Sequence, residues 1–373
     1  MAQKKKKYWL IISLALFVVY IFAATQPIPE ERILIPRWLS STESGYPVPI
    51  ANDTASISSA GTEETGAAYI PFRLGSHFGY VDDSGNFALN RRQEEYLSIS
   101  DDKWAEYAAK TELIEIRSPR GEDMLRLEKA RGYPLFLDNR TFLISDEGNT
   151  LSALDDEGNR LWTYDFAAPL TCIDAAAGLI LTGSLDGVVE VLDSAGKRIF
   201  SFVPGGSRLA AIYGCAISRD GERLGIISGI DDQRFLLLEH FGIPGSGEYK
   251  VSYHEFLEDG FRREVPISFI DNDSRIVFER QGALSIYEIN NRVSRRIPLK
   301  GELTALDVEG SSGLLFVVTS QSELQKQLVA ISLPGTIIME APFKSGDVFL
   351  GRRGSRLYLG GGSTLTSFEL GRK

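Results

Sequence analysis

Cysteine, histidine and methionine are scarce: two, three and three in 373 residues. No Cys-x-x-Cys pair occurs, so neither a dithiol redox centre nor a zinc knuckle can be assembled locally. The histidines, His77, His240 and His254, fall at no helical metal-ligand spacing. His254-Glu255 is not followed by the second histidine of a zinc-protease helix. No acid, histidine and nucleophile form a set that reads as catalytic. The N-terminal region lacks a cysteine, and with it a bacterial lipid attachment point. Positive charge is also in deficit, the net charge being −10. Residues 1–40 carry six Lys/Arg against two acids, which leaves the remainder at −14. A surface that acidic repels phosphates, so nucleic acid is excluded as a partner.

Residues 8–24 form a 17-residue stretch without charge, directly after Lys4, Lys5, Lys6 and Lys7. That length is at the short end for a membrane span. Signal cleavage wants small residues three and one before the cut, and here Phe22 or Ile21 would take the outer place. The reading is a basic cytoplasmic tail (1–7), a transmembrane anchor or uncleaved signal (8–24) and a linker (25–44). The lysines stay inside by the positive-inside rule. The rest then lies in the periplasm or outside, on a single-pass inner-membrane protein. Residues 33–39 interrupt the linker, and Arg37 with Trp38 suits a membrane interface or a segment packed on the folded domain.

The folded part is a repeat. Residues 151–166 read LSALDDEGNRLWTYDF and residues 184–202 read SLDGVVEVLDSAGKRIFSF, with Leu154 and Leu192 equivalent and 38 apart. Each is a short alternating strand, an Asp/Gly turn and an aromatic strand. A period near 40 with strand alternation predicts a β-propeller. The innermost strands end in an acid: Asp174, Asp271 and Asp307 after closely similar strands, Asp101, Asp138 and Asp220 after looser ones. Stepping back 37 from Asp101 reaches Glu64, after residues 55–59, and stepping forward reaches 349–351, which makes eight. Third strands give the same count at 78–81, 113–116, 151–154, 188–192, 235–238, 284–287, 328–331 and 365–368. The fold is therefore read as all-β, an eight-bladed propeller over 45–373. Seven blades is the alternative, if the unit before Asp101 is only a closing hairpin. Residues 104–110 are read as a second strand. The last unit lacks a fourth strand, which residues 45–50 are expected to supply, removing the open sheet edge.

Loops on a rigid scaffold are where contacts tend to sit. Two stand out, 240–247 and 258–265, and they nominate Phe241, Phe261, Arg262 and Arg263 as protein contacts. The acids Asp101, Asp138, Asp174, Asp220, Asp271 and Asp307 would all lie at one end of the ring, near the channel. They could attract a cation or a basic segment, although Asp pairs such as Asp82-Asp83 and Asp155-Asp156 are explained by turn chemistry. No full calcium loop is present, and no metal or cofactor is expected. Cys172 and Cys215, one repeat apart on neighbouring inner strands, are expected to be buried thiols rather than a bridge.

Residues 183–200 and 153–162 resemble the repeat of quinoprotein-like propellers: Gly-x-Asp-Gly, a strand, Leu-Asp, a Gly turn, then Trp. Residues 215–228 resemble the WD40-type unit. Eight-bladed, non-enzymatic members of this family include the propeller scaffold of outer-membrane barrel assembly, which binds proteins. The vicinal cysteines that stack on the quinone cofactor of the dehydrogenases are absent. The resemblance thus implies a scaffold that binds other cell-envelope proteins, without catalysis, cofactor or small-molecule ligand. The alternatives are a ligand-sensing propeller with a channel site and a quinone- and calcium-dependent dehydrogenase-like enzyme.

Overall fold

The computed structural model describes residues 17, 32–44, 47–49, 69–110, 112–128, 130–242, 248–258, 260–310 and 313–372. Every element among them is a strand, and the strands form eight sheets. The expected anchor at 8–24 lies, Phe17 apart, outside the described residues. Among those described, no helix is long and apolar enough to cross a membrane.

The chain falls into two compact units. Pro36–Glu369 carries the blades. In the other, Met1–Ile35 with Leu370–Lys373, the side chains of Ile33 and Ile35 lie against Gly371.

In chain order the blades occupy 70–92, 96–128, 133–165, 170–202, 212–256, 267–298, 302–344 and 348–372. Blades 2 to 7 are four-stranded antiparallel meanders, and eight rather than seven blades are present. Trp104–Tyr107 is the second strand of blade 2, as its sequence position required. Two ends of the ring follow from the meander. At the turn end, strand one turns into two and three into four. At the connection end, strand two turns into three and the chain passes to the next blade.

The turns between third and fourth strands repeat one chemistry. Asp82, Asp155 and Asp193 each accept two backbone N–H groups through Oδ1, at 2.7–3.1 Å. Asn159 Nδ2 also donates to Asp155 Oδ2 at 3.0 Å, which with the backbone donors holds the Asp155 carboxyl below its usual range.

Blade 1 has three described strands. Its first, Ile70–Leu74, runs opposite to Val348–Arg353, the innermost strand of blade 8: Asp347 lies against Gly75, and Arg353 donates to Tyr69 O at 3.0 Å. Ile70–Leu74 is therefore equivalent to a second strand, and His77–Val81 is the third strand that the repeat predicted. The expected innermost strand at 55–59, ending at Glu64, lies outside the described residues.

The closing strand corrects the sequence reading. Blade 8 takes its fourth strand from Arg32–Ser41, inside the stretch read as linker, and Pro47–Pro49 of the expected 45–50 adds a fifth beyond it. The reason is Trp38. Trp162, on the fourth strand of blade 3, donates its indole N–H to Ser194 O at 2.9 Å and lies flat on Gly196 in the next blade's turn. Trp38 does the same across the join, donating to Asp83 O at 3.0 Å and covering Gly85. Both glycines have positive φ, and a Cβ on either would strike the ring. Pro36 concealed the strand, since proline removes a ladder donor, and it is tolerated here in an outlying strand.

Candidate functional site

The connections between blades are short except for two, residues 203–211 after blade 4 and 257–266 after blade 5. Both lie at the connection end and flank blade 5. The first is fixed by Ile230 N–H donating to Leu209 O (3.0 Å) and Gly229 N–H donating to Ala211 O (2.9 Å). The second is held by Gln233, whose side chain is buried. Gln233 Nε2 donates to Gly229 O (3.2 Å) and Phe261 O (3.0 Å), and its Oε1 accepts from Phe261 N–H (3.0 Å). Val265 N–H donates to Tyr213 O at 2.7 Å and pins the far side. These bonds replace the freedom of a long loop with a defined surface.

That surface carries side chains a soluble face would normally hide. Leu185, Val203, Leu209 and Phe256 are each more than half exposed, and topology places all four at the connection end of blades 4 and 5. Arg234 lies 5.9 Å from the Phe256 ring and close to Gly206. Arg208 projects into solvent, within 3.5 Å of Asp231. The patch continues to Phe261, whose ring lies 4.3 Å from the Arg263 guanidinium. Beyond it a cleft of about 320 Å³ opens, lined by Phe261, Arg263, Glu279, Arg280, Leu299 and Leu303. Arg263 meets the buried Glu279 with two bonds of 2.8 Å, and Glu279 raises the Arg263 pKa further. Arg280 is buried and paired with Glu255, and its Nε has no hydrogen-bond partner. The charges lining the cleft are compensated, Arg263 by Glu279 and Arg280 by Glu255.

The residues nominated from sequence divide between the two ends. Phe261, Arg262 and Arg263 belong to the connection-end patch. Phe241 follows the third strand of blade 5 and lies at the opposite, turn end, where Lys250 Nζ is 3.7 Å from its ring centroid. Leu185, Val203, Leu209, Phe256 and Gln233 were not singled out from sequence. Their signal, apolar residues beside turns, carries no period.

The six acids do share the turn end, and each has its own partner there. Asp174 accepts from Ile217 N–H and Ala175 N–H, both at 2.9 Å, so it ties blade 4 to blade 5. Asp307 pairs with the buried Arg352 of blade 8 at 3.1 Å. Burial pushes both carboxyls up, against the pull of these partners. Asp220 accepts from Ser218 Oγ and Glu222 N–H, and Ser218 is the main cause holding it low against desolvation. Asp138 pairs with Arg140 at 3.3 Å, Asp271 with Arg275, and Asp101 with Arg353 at 3.6 Å. Among the described residues no three His, Cys, Asp or Glu converge on a metal position. His77 belongs to blade 1; His240 and His254 belong to blade 5, where His240 packs edge-on against Tyr249 and His254 against Phe256.

A family model described as beta-propeller protein matches residues 1–372. The chain is 25% identical to an uncharacterized protein of Treponema pallidum (strain Nichols), over 96% of its own length and 92% of the relative's. Among solved structures it is similar to BamB from Moraxella catarrhalis, with 14% identity and a TM-score of 0.55, covering 82% of this chain and 99% of that one. It is also similar to the computationally designed Ika8 protein, with 15% identity, a TM-score of 0.57 and coverage of 82% and 98%. A chain of the Mitotic Checkpoint Complex matches with 13% identity, a TM-score of 0.54 and coverage of 86% and 98%. At such identities the solved structures speak for the fold alone.

Proposed function

The chain belongs to a family of β-propeller proteins, and from that premise we propose that it is a protein-binding scaffold of the cell envelope, anchored through residues 8–24 and without catalysis. One observation carries the reading: two long connections are braced by hydrogen bonds into a face that exposes Leu185, Val203, Leu209 and Phe256 around arginines. Large exposed apolar side chains mixed with arginine and rimmed by charge are the usual make-up of a protein interface. Tight internal bracing lowers the ordering cost of binding. Structural likeness to BamB and to a chain of a multiprotein complex agrees with this reading.

The test is crosslinking of the full-length protein in native membranes, with the N-terminal residue of the mature chain read from the same sample. A stoichiometric envelope partner is expected. Its yield should fall at least tenfold in the variant Val203→Asp/Leu209→Asp/Phe261→Ala, while the thermal midpoint of this mostly surface variant holds within a few degrees. Undiminished crosslinking by that variant would move the interface elsewhere, and a mature chain beginning near Gln26 would remove the anchor.

A further inference from the structure

The sequence places Cys172 and Cys215 on inner strands that share no hydrogen-bond ladder. The structure nevertheless sets their register. Leu170–Ala176 and Ile212–Ile217 are neighbouring first strands running in the same direction. The Asp174 carboxylate receives the Ile217 N–H at 2.9 Å. Two residues earlier in each strand, on the same faces, stand Cys172 and Cys215. Both thiols are free and buried, and they share one apolar cluster with Leu181, Val189 and Ile212. Cys215 Sγ approaches Leu181 O at 3.9 Å, and Cys172 Sγ lies with Ile212 against Gly183, so both sulfurs border the same small apolar space.

We propose that Cys172 and Cys215 are a redox latch across the seam between blades 4 and 5, closing into a disulfide when the chain folds in the presence of a disulfide donor. One thiolate attacks the donor disulfide and releases its first thiol. The second thiolate attacks the resulting mixed disulfide and releases the other. The pair loses two protons and two electrons, and the donor, a small-molecule disulfide such as oxidised glutathione, gains them as two thiols. Burial raises the Cys215 pKa and withholds the thiolate once the ring has formed. Exchange therefore belongs to the folding chain, and the finished protein keeps whichever state it folded into. The latch joins the two blades whose connection end carries the exposed apolar face, but its chemistry does not depend on what that face binds.

The experiment unfolds the full chain and refolds it with a mixture of oxidised and reduced glutathione, and separately with dithiothreitol. The glutathione product should be lighter by two hydrogens, with one peptide joining Cys172 to Cys215. Its thermal midpoint should lie about 5 °C above the reduced form. Cys215→Ala should refold identically in both buffers. A native fold from glutathione that still yields two alkylatable thiols would overturn the latch. Where refolding fails, the full chain is synthesised in a cell-free reaction with oxidised glutathione present, so that the donor meets the chain while it folds. Loss of both free thiols within one chain is the expected result, and two thiols surviving to alkylation after unfolding overturn the proposal equally.

Discussion

The seam between blades 3 and 4 and the seam between blades 8 and 1 use the same contact at very different sequence distances. Trp162 reaches Ser194, 32 residues on, while Trp38 reaches Asp83 from a strand whose neighbour in the sheet holds Glu369. Arg37 and Glu369, 332 residues apart, pair beside that second seam. One indole, one carbonyl and one glycine do the same local work at both. At the first they join units that chain connectivity already keeps adjacent. At the second they hold the two ends of the ring together. The lesson is that equal contacts carry unequal weight when the topology around them differs.

Substitution can break that comparison. Trp38→Ala should cost about 4 kcal/mol, because the side chain is buried and its loss frees the closing strand. Trp162 is only partly buried, and Trp162→Ala should cost about 2 kcal/mol. Denaturant unfolding measures both. Hydrogen exchange should show Arg32–Ser41 and Thr364–Arg372 opening in the first variant only, and equal costs with equal exchange would show that closure adds nothing.

The seam between blades 7 and 8 is tied near the axis instead, by Arg352 and Asp307 with side chains almost fully buried. Arg352→Met should cost about 3 kcal/mol by leaving a buried carboxylate unpaired, and adding Asp307→Asn should recover most of it. A double variant no better than the single would mean that Arg352 acts through other contacts.

The seam between blades 2 and 3 lacks a tryptophan. Leu125 and Leu127 cover Gly158, and a cavity of about 320 Å³ remains beside them, lined by Leu127, Leu143 and Leu154. Leu125→Trp should raise stability by about 1 kcal/mol if its indole reaches the Asp156 carbonyl, the counterpart of Ser194 and Asp83. A loss in denaturant unfolding would mean that the cavity has the wrong shape.

The smallest effect concerns pH. Asp174 and Asp307 have folded pKa values raised mainly by burial. Their contribution is fully present below the ordinary carboxylate value and is lost as pH rises through the raised one. Stability measured from pH 4 to 7 should therefore fall less steeply in Asp174→Asn than in the native protein, and parallel profiles would refute the assignment.

How much could be read in the chain follows from the same seams. Leu-Asp followed by a glycine turn recurs because the turn between third and fourth strands needs Asp to cap it and Gly at positive φ. That signature located the blades, including the third strand at His77–Val81. The closing strand was hidden by Pro36, although Trp38 matched Trp162 in role. The connection-end face was hidden for another reason: Leu185, Val203, Leu209 and Phe256 sit at turns and strand ends, where alternation stops, and only the folded ring gathers them. The shared register of Cys172 and Cys215 was illegible because it rests on the bond that the Asp174 side chain accepts from a neighbouring blade.

Closure by Arg32–Ser41 also sets a clock. The strand leaves the ribosome ahead of the other described strands, and its neighbour in the sheet, Thr364–Arg372, after them. At roughly 5–20 residues per second, the first must wait about 15 to 70 seconds for the second. Blades with all four strands in sequence can form during that interval. The ring closes last, with Trp38 uncovered until it does, so the order of synthesis is also the order of assembly.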